Sequence, residues 1–154
     1  MFIEPRAVAR EAVARFLSED HKQLAFLFEV ATLAFDEDRL VDGEKAFQQF
    51  RSHLEQHLRM EEEILFPKLE HLVEASPDMK ILGNLREEHK AIRWLMDQIV
   101  DMLSVDDNPS SAANQLSVLL EEHARAEEPS LYQLTDRLAA TPLASELVHR
   151  VMSL

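Results

Sequence analysis

The sequence predicts an all-α fold, an antiparallel up-down-up-down four-helix bundle with a short extra C-terminal helix. Three observations predict it. Apolar residues recur at helical spacing in four long stretches. The 154 residues contain only two glycines and six prolines, which favours long helices over strands and turns. Short polar segments separate the stretches, and short connections make consecutive helices antiparallel neighbours.

The first helix is expected from about Arg6 to Phe35, with Val13, Leu17, Leu24 and Phe28 on one stripe around His21. It stops at Asp36-Glu37-Asp38 and the Asp42-Gly43 break. The second runs from about Glu44 to Val73 through Phe47, Phe50, Leu54, His57, Leu65 and Leu69, and ends at Ala75-Ser76-Pro77-Asp78. The third runs from about Met79 to Leu103 through Leu82, Leu85, His89, Ile92, Met96 and Ile99. The loop Asp106-Asp107-Asn108-Pro109-Ser110 ends it. The fourth runs from about Ser111 to Ala139 through Leu116, Leu119, His123, Leu131 and Leu134. A shorter segment begins after Thr141 as cap, with Pro142 at the first helical position. Pro67 and Pro129 fall inside helical stretches and predict irregularity near 63–67 and 125–129.

A chain of this length is expected to form a single domain, residues 1–154, with its chemistry in about 15–140. It buries a core without staples, and it has no cysteine. Disulfides, iron–sulfur ligation and a thiolate zinc site are thereby excluded. The formal net charge of −13 opposes binding to phosphate backbones and anionic lipid, so no nucleic-acid or membrane partner is expected. No apolar run approaches the roughly 20 residues of a membrane span. The start Met1-Phe2-Ile3-Glu4-Pro5-Arg6 lacks the pattern of a signal peptide, and the expected location is cytoplasmic.

The chemistry lies in a repeat. His57-x-x-x-Glu61 and His123-x-x-x-Glu127 are each followed by a second acid, Glu62 and Glu128. An imidazole and a carboxylate four residues apart differ by only about 40° around a helix, so they face one point. The segment 57–73 shifted by 66 falls on 123–139, with Arg59/Arg125, Leu65/Leu131 and Leu72/Leu138 also identical. At an offset of 68, Glu19-Asp20-His21-Lys22 matches Glu87-Glu88-His89-Lys90. The chain therefore reads as two helical hairpins, each carrying a lone histidine and then a His-x-x-x-Glu.

These histidines sit in apolar stripes and point inward, where unpartnered polar groups cost several kcal/mol each on typical scales, about 2–7. A dication compensates for them. Four imidazoles (His21, His57, His89, His123) and two carboxylates (Glu61, Glu127) are too many for one tetrahedral zinc. They suit two metals, each with two histidines, bridged by both carboxylates. Imidazole with carboxylate suits iron, zinc or manganese. The Glu-x-x-His of ferritin-like proteins occurs only once, at Glu146–His149. His-Glu-x-x-His, a Gly-x-Ser-x-Gly elbow and a glycine-rich phosphate loop are absent. His53, one turn before His57, is either an extra ligand or a donor behind one. Glu62 and Glu128 turn about 100° away from the bridging acids, to face solvent, to orient a ligand or to ligate a metal themselves. His71 and His149 read as surface residues, and Trp94 and Tyr132 as core packing, with lining the pocket or accepting an electron as the alternative.

His21, His57-Leu-Arg-Met-Glu61-Glu-Glu-Ile-Leu-Phe-Pro67, Glu88-His89 and His123-Ala-Arg-Ala-Glu127-Glu resemble the hemerythrin-like HHE cation-binding domain, across roughly residues 15–140. The resemblance implies a non-haem di-iron centre in an antiparallel four-helix bundle. It makes His21, His57, His89 and His123 terminal ligands and Glu61 and Glu127 bridging carboxylates. Oxygen-carrying hemerythrins have a fifth histidine where Arg93 stands here, and an Asp five residues after the last histidine instead of Glu127 at four. The set is closer to bacterial HHE proteins and to the di-iron domain of iron–sulfur-cluster repair proteins, whose short cysteine-bearing N-terminal domain has no counterpart here. The expected function is binding or sensing of O2, NO or peroxide at two iron ions. Zinc or manganese fits the same ligands. The alternatives are iron–sulfur-cluster or di-iron repair, with the site as iron donor, a peroxide-reducing enzyme, and a bundle that metal merely holds together.

Overall fold

The computed structural model describes residues 5–72, 77–138 and 149–150. Helix α1 spans Pro5–Asp36 and α2 spans Leu40–Met60. One π-helical turn, Glu61–Leu65, joins α2 to α3, Phe66–Leu72, so the three form one continuous rod. Helix α4 is Met79–Ser104 and α5 is Ser110–Leu138. The described residues thus form four helical rods and contain no strand. No helix among them is long and apolar enough to cross a membrane. Apart from His149 and Arg150, both helical, the expected C-terminal helix lies outside the described residues.

Side-chain pairs fix the directions. Along α4, Arg86 meets Glu70, His89 meets Glu62 and Arg93 meets Glu55, so numbering falls on one rod as it rises on the other. Helices α1 and α5 are likewise antiparallel, with His21 against Glu128 and Asp36 against Ser110. On α1 and α2, Asp20 meets His57, and the Phe35 and Phe47 rings meet near the connecting turn. Consecutive rods are therefore antiparallel.

Both hairpin turns follow one design. After α1, Asp38 adopts φ 58°, Arg39 N–H donates to Ala34 O at 2.8 Å and Asp38 N–H to Phe35 O at 3.0 Å. After α4, Asp106 adopts φ 54°, Asp107 N–H donates to Met102 O at 2.9 Å and Asp106 N–H to Leu103 O at 3.2 Å. Each is a Schellman ending that uses aspartate in the left-handed position where glycine is commonest. Asn108 ties the turns together. Its side-chain amide donates to Phe35 O at 2.8 Å, while its oxygen accepts from Ser110 N–H at the start of α5.

The expected break at Asp42-Gly43 does not occur, and α2 begins earlier, at Leu40. Gly43 lies inside α2 because the Phe35 ring packs there, and a Cβ would fall 2.4 Å from Phe35 Cε1. The irregularity expected near 63–67 is present as the π turn, in which Phe66 N–H reaches back to Glu61 O. Near 125–129 the helix is not interrupted: α5 continues through Pro129. The carbonyl that Pro129 cannot serve belongs to Arg125, an exposed residue, so solvent can take its place.

The core divides into two apolar clusters. One holds Leu24, Phe28, Phe35, Phe47, Phe50, Leu54, Ile92, Ile99 and Leu116 towards the hairpin turns. The other holds Leu17, Leu65, Phe66, Leu69, Leu82, Leu131 and Leu134 at the opposite end. Each fully buried Leu or Phe contributes about 1.5–3 kcal/mol. The inward polar residues lie between the clusters, where apolar packing above and below shields them from water. Trp94 is not part of this core: it sits on the outer face of α4, 62% exposed. Its neighbours Ile92, Leu95 and Met96 fill the inward face instead.

Candidate metal centre

The four rods bring His21, His57, Glu61, His89, His123 and Glu127 to one place. Donor atoms of His21, His57, Glu61 and Glu127 all lie within 4.8 Å of one another, as do those of Glu61, His89, His123 and Glu127. The two groups share both carboxylates. Glu127 Oε1 lies 3.1 Å from His21 Nε2, and its Oε2 lies 2.9 Å from His123 Nε2. Glu61 sets Oε1 against His57 Nε2 and Oε2 3.2 Å from His89 Nε2. Each carboxylate thus faces both halves of the repeat. Glu61, Glu127 and His89 are fully buried, and His57 and His123 nearly so.

Behind each imidazole stands an acid. His57 Nδ1 donates to Asp20, His89 Nδ1 to Glu62 at 3.0 Å, His123 Nδ1 to Glu88 at 2.5 Å and His21 Nδ1 to Glu128 at 3.0 Å. An ionised carboxylate only accepts, so each Nδ1 carries the proton and each Nε2 turns a lone pair inward. The acids run round the bundle in one sense: α1 serves α2, the π turn serves α4, α4 serves α5 and α5 serves α1. Two acids are themselves braced. His53 Nε2 donates to Asp20 at 2.7 Å, and Arg93 grips both oxygens of Glu62, at 2.7 and 3.0 Å.

Among the described residues, eight buried side-chain atoms lack a hydrogen-bond partner: the Nε2 of His21, His57, His89 and His123 and both oxygens of Glu61 and Glu127. While the imidazoles are neutral in this tautomer all eight are acceptors, so they satisfy one another only by taking up protons. Positive charge is what satisfies such a set, and the donor types and their arrangement fit metal cations.

The sequence pattern of the hemerythrin HHE cation-binding domain matches residues 12–135. The chain belongs to the hemerythrin HHE cation-binding family. No curated protein and no solved structure matches the chain. The HHE domain is a metal-binding domain, its metal is typically iron, and the converged histidines and glutamates form a cluster suited to hold a metal.

The protonation of the HHE domain's buried groups reflects the same demand for positive charge. Burial opposes charging His89, yet the Glu127 and Glu61 carboxylates outweigh it and push its pKa up to about 10. Burial also opposes charging His21, His57 and His123, but Glu127 for His21 and His123, and Glu61 for His57, raise all three. Burial likewise opposes charging Glu127, but His123 and His21 around it hold its carboxyl well below the usual range. Burial works against Asp20 and Glu62 too, and His57 with His53, and Arg93 with His89, lower them.

A cavity of about 510 Å³ opens onto this cluster from the flank between α1 and α5. His21, His57 and His123 form part of its wall, with Leu24, Phe28 and Leu120 among the apolar lining.

His53 is in neither donor group of the HHE domain, since Asp20 holds it. Glu62 and Glu128 stand behind histidines, the orienting position their rotation allowed. His71 and His149 are exposed, and the Tyr132 side chain lies outside the described residues. Sequence reasoning missed Asp20, Glu88 and the bracing by Arg93. The signal for the first two was present, an acid directly before each lone histidine, repeated at an offset of 68. For Arg93 no signal existed, because its partners come from another rod.

Proposed function

We propose that the chain carries a non-haem di-iron centre and binds or senses O2, NO or peroxide there, in a cytoplasmic setting. His21 and His57 would hold one iron and His89 and His123 the other, with Glu61 and Glu127 available to both. The observation that carries this reading is the division of eight unpartnered donor atoms into two groups with both carboxylates in common. Bound iron supplies one-electron chemistry towards a small ligand at positions that two histidines and two carboxylates leave open.

The chain's own residues do the rest. Asp20, Glu62, Glu88 and Glu128 fix the tautomer and direction of each imidazole. Leu17, Leu65 and Phe66 on one side, with Leu54 and Leu58 on the other, keep bulk water away. The cavity beside His21 and His123 admits a small molecule from the α1–α5 flank. Complete burial of Glu61, Glu127 and His89 favours retention of the metal over its donation to a damaged iron protein.

The test is elemental analysis of anaerobically purified protein, followed by optical spectra on addition of O2 and, separately, NO. Two irons per chain and a new absorption band are expected. Zinc or manganese in place of iron, or two irons with unchanged spectra, would overturn the proposed ligand chemistry.

A further inference from the structure

The internal repeat compares the two halves of the bundle residue by residue, and one position differs in kind. On α4, Arg93 lies between two acids of the neighbouring rod, with its guanidinium bonded to Glu55 at 3.0 and 3.2 Å and to Glu62 at 2.7 and 3.0 Å. The offset of 68 equates Arg93 with Ala25 on α1, and the offset of 66 equates Glu55 and Glu62 with Glu121 and Glu128 on α5. The α1–α5 face therefore keeps both acids but has a methyl group where the face between α4 and the α2 rod has a guanidinium. At that place lies the cavity of about 510 Å³, whose wall includes Ala25, Glu121 and Glu128. Its acids are Glu29, Glu121 and Glu128, against the Lys22 ammonium, and its inner wall sets Leu24, Phe28, Leu54, Leu58 and Leu120 beside the imidazoles of His21, His57 and His123.

We propose that this cavity binds a small alkylguanidinium compound, its head between Glu121 and Glu128 as Arg93 lies between Glu55 and Glu62, its stem along Leu24 and Leu120. The volume falls within the roughly 300–1,000 Å³ of small-molecule sites and far exceeds what a diatomic ligand fills. A planar fork with parallel donors matches two carboxylates better than a point charge does. Both acids remain available. Glu128 gives one oxygen to His21, and Glu121 is otherwise held by Arg125 in an exposed pair at 3.1 Å, a contact of little strength. Because Glu128 also orients His21, the bound cation reaches the metal centre through a single carboxylate.

The experiment titrates metal-loaded protein with n-butylguanidinium, using calorimetry at low ionic strength, alongside n-butylammonium and pentanoate. Saturable binding of butylguanidinium, weaker binding of butylammonium and none of pentanoate are expected. Ala25→Arg, at an exposed helical position, supplies the missing guanidinium from the chain and abolishes binding while metal content stays unchanged. Glu121→Gln weakens binding about tenfold, the scale of one charge-assisted hydrogen bond. Absence of saturable binding to the wild-type protein, equal affinity for butylammonium, or undiminished binding to Glu121→Gln would each overturn the proposal. Metal content, measured on every sample, separates these outcomes from failure of the metal site itself.

Discussion

An imidazole that presents Nε2 to the bundle interior must keep its proton on Nδ1, and in this chain an acid from a neighbouring rod sees to that at every histidine of the cluster. Asp20 has the heaviest duty, since it accepts from both His57 and His53. Asp20→Asn keeps the shape and removes the charge, so metal affinity should fall about 10–100-fold in a chelator competition. Glu63→Gln, at an exposed acid paired only with Arg59, should leave affinity unchanged. At this scale the converging six residues were legible because a spacing of four fixes direction within one helix, and the repeat doubled the signal. The acids behind them were legible only in part: an orienting position was one reading of Glu62 and Glu128, and the acid before each lone histidine repeated, but the partners of Asp20 and Glu88 did not show. Asp20 and Glu88 lie about 100° round their helices from the histidines they precede, and what they meet depends on how the rods dock.

At the scale of elements, the π turn does more than absorb Pro67. It carries Glu61 and Glu62 and leads into Phe66, whose ring stacks on His89 at 5.5 Å with Arg86 above it at 5.3 Å from the ring centroid. Helix extents were readable from periodicity, while the start of α2 was not, because Gly43 looked like a breaker. Its smallness instead serves Phe35, a contact between rods that no local pattern encodes. The two glycines therefore make opposite predictions. Gly43→Ala drives a methyl into the fully buried Phe35 ring and should destabilise the fold by about 1–3 kcal/mol. Gly83→Ala, on the exposed side of α4 with nothing within 4 Å of its Cβ, should stabilise by up to about 1 kcal/mol. Urea unfolding of both variants checks the pair.

For the whole molecule, stability must follow the charge state of the cluster. The histidines have pKa values raised in the fold, so their contribution to metal-free protein is complete below the unfolded value of 6.5. It disappears as pH rises through the folded values, which for His89 is about 10. Glu127 is depressed, so its contribution is complete above the unfolded value of 4.5 and is lost as pH falls towards its lower folded value. The melting temperature of metal-free protein should therefore decline between pH 6.5 and about 10. Metal competes with those protons, so the extra stability it confers should grow over the same interval. Thermal melts with and without chelator give both slopes. The bundle was legible as four rods in sequence, because short connections leave few alternatives. Which way the rods turn about the axis was not, since two arrangements of opposite hand bury the same stripes. The succession of acids, each serving the next rod in one rotational sense, distinguishes them. In the arrangement of opposite hand, Glu62 and Glu128 would face away from His89 and His21, leaving those imidazoles unsupported. The outer acids thus select the handedness of the bundle, a choice to which its apolar pattern is indifferent.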